Sequence, residues 1–98
     1  MDVTLQYFDG CPNWQTADER LRVLAGELGL RIGYQKVESP EEAEALGFRG
    51  SPTILVDGRD LFAATGAPGG LACRVYETPD GRAGSPTIDQ LRAALGTI

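Results

Sequence analysis

Residues 3–37 change hydrophobic period twice, and this leaves few folds open to the chain. Val3, Leu5 and Tyr7 alternate with Thr4, Gln6 and Phe8, the period-two pattern of a strand, and the run stops at the turn pair Asp9-Gly10. From Trp14 to Leu28 the apolar positions Ala17, Leu21, Leu24, Ala25 and Leu28 recur at helical spacing, and Gly29 stands where a glycine closes a helix. Leu30, Ile32 and Tyr34 then alternate with polar or small residues until about Val37 and Glu38. A strand, a helix and a second strand in this order form the unit that pairs two strands in parallel through a right-handed crossover.

The remainder extends that unit. Ser39-Pro40-Glu41-Glu42 has an N-cap serine, proline at the first helical position and a glutamate at the third, so a short helix is expected up to Gly47. Thr53 to Val56 is a compact β-rich run followed by Asp57-Gly58, a pair suited to a tight reversal. Residues 59–70 have no clear period and are expected to form a loop. Leu71 to Tyr76 resumes alternation, with Leu71, Cys73 and Val75 on one face and Ala72, Arg74 and Tyr76 on the other. After a turn at Thr78-Pro79-Asp80-Gly81, Ser85-Pro86 is expected to cap a last helix striped by Ile88, Leu91, Ala94 and Leu95 and ended by Gly96. Ser-Pro-Thr-Ile occurs at both 51–54 and 85–88; Leu55-Val56-Asp57-Gly58 after the first copy makes it a strand entrance, and the helix-forming run 89–95 after the second makes it a helix start. The predicted order is βαβαββα, an α/β fold with a four-stranded mixed sheet flanked by helices, and residues 1–98 fit one domain.

Composition narrows the function classes. A net charge of -5 opposes binding to phosphate backbones, so no nucleic-acid partner is expected. No apolar run approaches the roughly 20 residues that span a bilayer, and Met1-Asp2-Val3-Thr4 opens a strand pattern without a basic leader, so no membrane partner and a cytoplasmic location are expected. In that compartment two cysteines read as free thiols. The absence of histidine removes Cys-His and Ser-His catalysis and leaves too few soft ligands for a closed zinc site; no metal or cofactor is expected.

The chemistry concentrates at Cys11-Pro12-Asn13-Trp14, where the first strand becomes the first helix. A thiol at a helix N-terminus lies at the positive end of the helix dipole, which favours its anion and lowers its pKa. Cys11 follows a loop and is expected to be partly exposed. Arg49 and Arg74 are expected to be solvated surface charges, and Glu38, Glu41, Glu42 and Glu44 a solvent face.

The order of elements and the cysteine turn together resemble the thioredoxin superfamily over nearly the whole chain. Cys11-Pro12-Asn13-Trp14 is similar to that family's Cys-x-x-Cys turn, with Trp14 in the place of the resolving cysteine. Gly50-Ser51-Pro52-Thr53, ahead of the third strand, looks like the family's cis-proline loop. The resemblance implies a cis Ser51-Pro52 bond beside the thiol, with the backbone of Ser51 pairing with bound substrates. It makes Cys11 the catalytic thiol and places Pro12, Trp14, Ser51, Pro52 and Thr53 around the substrate. With Trp14 in the motif, release of a mixed disulfide falls to an external thiol, as in monothiol glutaredoxin-like proteins, or to Cys73 as a second thiol. If the 71–76 strand runs antiparallel to 53–56 with Tyr76 near Thr53, Cys73 lies roughly 10 Å from the Cys11 end. A disulfide needs Cα atoms within about 7 Å. Cys73 is then expected in the core with Leu71 and Val75.

The layout of Cys11, Cys73 and the following helix is also broadly similar to that of organomercurial (alkylmercury) lyases, and soft metals prefer paired thiolates. That family's acidic residue shortly after its first cysteine has no counterpart at Trp14, which leaves Asp9 as a substitute. Three functions remain open. One is thiol-disulfide exchange or low-molecular-weight thiol chemistry at a single cysteine, acting on a small-molecule or protein partner as an oxidoreductase would. Another is a non-catalytic thioredoxin-like binding module using the loop around Phe62. The third is thiophilic-metal handling.

Overall fold

In the computed structural model, which describes residues 2–62 and 73–96, the opening alternation folds as β1 (Asp2–Tyr7) and the helical stretch as α1 (Asn13–Leu28). Gly29 takes a left-handed backbone, φ 70°, and its N–H donates to the Ala25 carbonyl at 3.0 Å, so α1 closes on the one residue type that adopts this conformation freely. β2 (Arg31–Lys36) pairs in parallel with β1, from Asp2 opposite Arg31 to Tyr7 opposite Lys36. β3 (Thr53–Val56) runs antiparallel on the other side of β1, with Leu5 opposite Ile54. β4 (Arg59–Asp60) completes a four-stranded mixed sheet of order β2-β1-β3-β4.

The sheet therefore has four strands, but the fourth is not the expected one. Asp57 (φ 51°) and Gly58 (φ 83°) both have positive φ, which makes a two-residue reversal that sends Arg59 and Asp60 straight back along Val56 and Leu55. The expected loop thus begins as a strand, and its residues 63–70 lie outside the described residues. Of the expected strand 71–76, Leu71 and Ala72 also lie outside them. Cys73 makes one isolated parallel bridge with Ser51, and β5 (Tyr76–Thr78) pairs with β6 (Gly81–Ala83) as a separate hairpin.

The short helix α2 (Pro40–Leu46) opens as expected. Ser39 Oγ accepts from the Glu42 N–H at 3.1 Å, although Glu42 turns its carboxylate to the Glu38 N–H rather than to Ser39. The last helix, α3 (Ile88–Gly96), is capped two residues later than expected. Thr87 Oγ1 accepts from the Gln90 N–H at 3.1 Å and Gln90 Oε1 accepts from the Thr87 N–H at 3.0 Å, a reciprocal pair that Ser85, buried, does not form.

The main core lies between the sheet and two helices: Val3, Leu5, Ile54 and Val56 meet Ala17, Leu21 and Leu24 of α1 and Leu91 and Leu95 of α3. A second cluster joins Val37, Ala43 and Phe48, with Phe8 packed on it. Leu28, the last position of the predicted stripe, is exposed, and Asp18 is buried instead. Its carboxylate accepts from Arg22 Nε at 3.0 Å and from the Tyr34 hydroxyl at 2.5 Å, which ties β2 to α1. Burial works to raise the Asp18 pKa, but the hydrogen bonds from Arg22 and Tyr34, with the Arg22 charge, outweigh it and hold the carboxyl below its usual range. Among the described residues no helix is long and apolar enough to cross a membrane.

Candidate functional site: the cysteine pair

Beyond β1 the chain makes a tight turn, in which the Cys11 N–H donates to the Phe8 carbonyl at 3.2 Å, and Pro12 leads into α1 with φ -72°. Proline suits this position because its fixed φ is already close to helical and it has no N–H to leave unpaired. No side chain caps α1 and no acidic residue occupies its first turn, so α1 itself supplies no anion at the positive end of the helix. Cys11 itself is fully buried, 0% exposed, in contrast to the partial exposure expected for it. Pro12 is exposed, and Trp14 is half-buried and stacked on Tyr7 with ring centroids 4.3 Å apart. Asn13 lies so close to Gly84 that any side chain at that glycine would displace it. Arg20 Nη1 donates to the Pro86 carbonyl at 2.6 Å, which holds the segment before α3 along the same helix.

Cys11 and Cys73 form a disulfide with Cα atoms 5.6 Å apart, joining positions 62 residues apart in sequence. This overturns the expectations of free thiols, of a separation of roughly 10 Å and of Cys73 as a core residue. The reason is direction and register. The 73–76 segment does not run antiparallel to β3. It runs parallel past the residues before β3, with Cys73 bridged to Ser51 and the Arg74 N–H donating to the Ser51 carbonyl at 2.9 Å. Tyr76 approaches this turn with its hydroxyl, which donates to the Pro52 carbonyl, and not with its backbone. The two faces are also exchanged: Arg74 and Tyr76 are buried, Cys73 is exposed, and Val75 is 62% exposed.

Arg74 is thus no surface charge, although Arg49 is exposed as expected. Only 3% of Arg74 is accessible. Its Nη1 donates to Asp60 Oδ2 at 2.7 Å and lies 3.5 Å from Thr53 Oγ1, and its Nη2 donates to the Phe62 carbonyl. The guanidinium carbon sits 4.7 Å over the Tyr76 ring, and that ring meets Phe62 edge to face. Burial pushes the Tyr76 phenol well above its usual pKa, against the opposing charge of Arg74. Sequence reasoning missed Arg74, Asp60 and Tyr76. The apolar neighbours Leu71 and Val75 pointed to the wrong face, and no local pattern marks a buried ion pair.

The Ser51-Pro52 bond is cis, as the resemblance implied. Ser51 is fully buried, and its carbonyl oxygen lies 3.6 Å from Cys11 Sγ. Cys11, Cys73, Ser51 and Pro52 therefore converge. Thr53 turns its hydroxyl away, to the Gly50 carbonyl at 2.5 Å, and Pro12 and Trp14 belong to the α1 side of the site. Of the Ser51 backbone, to which the resemblance gave substrate pairing, the carbonyl already accepts from Arg74 of the same chain.

Among the described residues Ser51 Oγ has no hydrogen-bond partner. A buried hydroxyl left unpaired costs about 1–3 kcal/mol of desolvation, and removing it leaves only a small void. Ser51→Ala is therefore expected to stabilise the oxidised protein by about 1 kcal/mol in urea unfolding. A loss of stability would mean that the hydroxyl has a partner in solution.

Among the described residues no group of three or more His, Cys, Asp or Glu is arranged to hold a metal ion. Asp9, the candidate substitute for a lyase carboxylate, is ion-paired with Lys36 Nζ at 2.6 Å. Comparison with known proteins finds no matching family model, no similar curated protein and no similar solved structure.

Proposed function

We propose that this chain is a thioredoxin-like thiol-disulfide exchange protein whose working unit is the Cys11 and Cys73 pair rather than one cysteine. The observation that carries the proposal is the asymmetry of the disulfide: one half is a fully buried residue at the start of α1, the other an exposed residue on the 73–76 segment. The turn at Ser51 and Pro52 beside the buried sulfur supports the thioredoxin-like assignment. The alkylmercury-lyase layout draws less support, because Asp9 is engaged by Lys36.

The asymmetry sets the direction of attack. A thiolate from solvent reaches Cys73, forms a new S–S bond with its sulfur and breaks the internal one. The electron pair of the broken bond passes to Cys11, which leaves as a thiolate at the helix start. The positive end of α1 favours that anion against the desolvation that full burial of Cys11 imposes. A second thiol, as thiolate, attacks the incoming sulfur and releases Cys73 as a thiolate, which is then protonated. Overall two external thiols become one disulfide and the protein disulfide becomes a dithiol. In reverse, the Cys11 thiolate attacks the Cys73 sulfur of a mixed disulfide and expels the external thiolate. Cys11 so takes over the release step that Trp14 cannot perform.

Brief treatment of the oxidised protein with glutathione, followed by acid quench, alkylation and peptide mass analysis, tests this. Glutathione should appear on Cys73, and reduced Cys11→Ser treated with glutathione disulfide should accumulate that adduct because nothing inside the protein resolves it. Glutathione on Cys11 of the wild type would overturn the assignment, and so would a disulfide that glutathione leaves closed.

A further inference from the structure

Cys73 is exposed and its neighbour Val75 is 62% exposed, so packing around the cysteine does little to hold it in place. The attachment comes from the next residue. The Arg74 N–H donates to the Ser51 carbonyl, the same oxygen that lies 3.6 Å from Cys11 Sγ, and the Arg74 side chain is anchored on β3, β4 and Phe62. Two of those anchors belong to the central sheet, whose strands are fixed by their own ladders: Asp60 pairs with Leu55, and Thr53 with Gln6. A guanidinium suits this task because its donors have a fixed planar geometry that can bind a carboxylate, a carbonyl and a hydroxyl in different directions at once. A buried charge is unfavourable unless it is paired. Here the pairing doubles as a geometric constraint on the neighbouring cysteine.

We propose that Arg74 is a positioning residue for the cysteine pair: its buried contacts with Asp60, Phe62, Thr53 and Tyr76 hold Cys73 in disulfide register with Cys11, in the dithiol as well as in the disulfide. This rests on the exchange chemistry proposed above and adds the residue that makes internal closure competitive with an external thiol. Holding two reacting groups in register raises their effective concentration and hence the equilibrium constant for closing the ring. By linkage, whatever the Arg74 contacts add to disulfide formation, the disulfide adds to those contacts.

The experiment equilibrates the wild type, Arg74→Met, Arg74→Lys and Asp60→Asn with graded ratios of reduced and oxidised dithiothreitol at 25 °C, then quenches, alkylates and weighs the disulfide fraction. Leu95→Ala, a truncation in the α3 part of the main core, a cluster that includes none of residues 73–76, serves as a control for general loss of stability. The equilibrium constant for ring closure should fall roughly 5- to 150-fold in Arg74→Met, the range of typical site-to-site coupling. It should fall less in Arg74→Lys, which keeps the charge and loses the fork, and in the same direction in Asp60→Asn, while Leu95→Ala keeps the wild-type value. Wild-type constants in Arg74→Met and Asp60→Asn would overturn the proposal, as would an equal fall in Leu95→Ala. Should Arg74→Met not fold, Asp60→Asn decides by the same criterion. Dithiothreitol reports the constant whether or not glutathione opens the pair, so failure of the exchange chemistry and failure of the positioning role are separately visible.

Discussion

Cys73→Ser is expected to lower the thermal unfolding midpoint by on the order of 20 °C relative to the oxidised wild type. The disulfide ties positions 62 residues apart, and in the chain-entropy account a cross-link restricts the unfolded ensemble more as the closed loop grows. That account gives roughly 3 kcal/mol for a 15-residue loop and 4.7 for a 100-residue loop, so about 4 kcal/mol applies here. In a domain of this size each kcal/mol moves the midpoint by about 4–8 °C. Small domains have only about 5–15 kcal/mol of stability in all, so the variant should still fold at 25 °C with a reduced margin. Wild type in excess dithiothreitol should melt with the variant, since both lack the cross-link. A variant that melts within a few degrees of the oxidised wild type would show that the bond does not form in solution. The same substitution leaves Cys11 as a lone buried thiol and removes the exposed cysteine on which the mixed disulfide forms.

Arg74→Met should destabilise the protein by about 3–5 kcal/mol in urea unfolding, more than any surface charge removal. Methionine fills much of the same volume, but it leaves the Asp60 carboxylate without its cation and the Phe62 carbonyl without its donor. The penalty arises because Asp60, with a side chain only 16% exposed, loses its cation and keeps the Phe62 N–H as a donor. The double variant Asp60→Asn with Arg74→Met should therefore lose less than the sum of the two single losses, since the stranded charge is removed together with its partner. Additive losses would mean that the two side chains do not interact in solution. Arg82→Ala is a useful contrast: its ion pair with Glu77 is open to water on both sides, and exposed pairs of that kind contribute little.

The local elements were legible because their causes are local. The Ser39 cap, the Gly29 stop and the Asp57-Gly58 reversal each depend on contacts or backbone angles within about four residues. The missed cap at Thr87 belongs to the same kind: Thr-x-x-Gln was present in the sequence, and Ser85-Pro86 drew the assignment because proline commonly follows an N-cap. Leu28 and Asp18 show the limit of helical periodicity. The apolar stripe continued beyond the core that could cover it, while a carboxylate was buried because Arg22 and Tyr34 satisfy it there.

For the site, the sequence alone determined that Cys11 stands where a strand turns into a helix, and that a Ser-Pro turn precedes a strand of the same sheet. Both are consequences of short-range patterning. Only the tertiary structure decided that Cys73 meets Cys11. Among the described residues the backbone of the 73–76 segment pairs with the 51–53 turn through one isolated bridge, so alternation could not tell which face goes inward. In the structure Arg74 faces inward and pairs with Asp60, 14 residues away in sequence, while Val75 faces solvent, a contact between distant positions that no local pattern encodes.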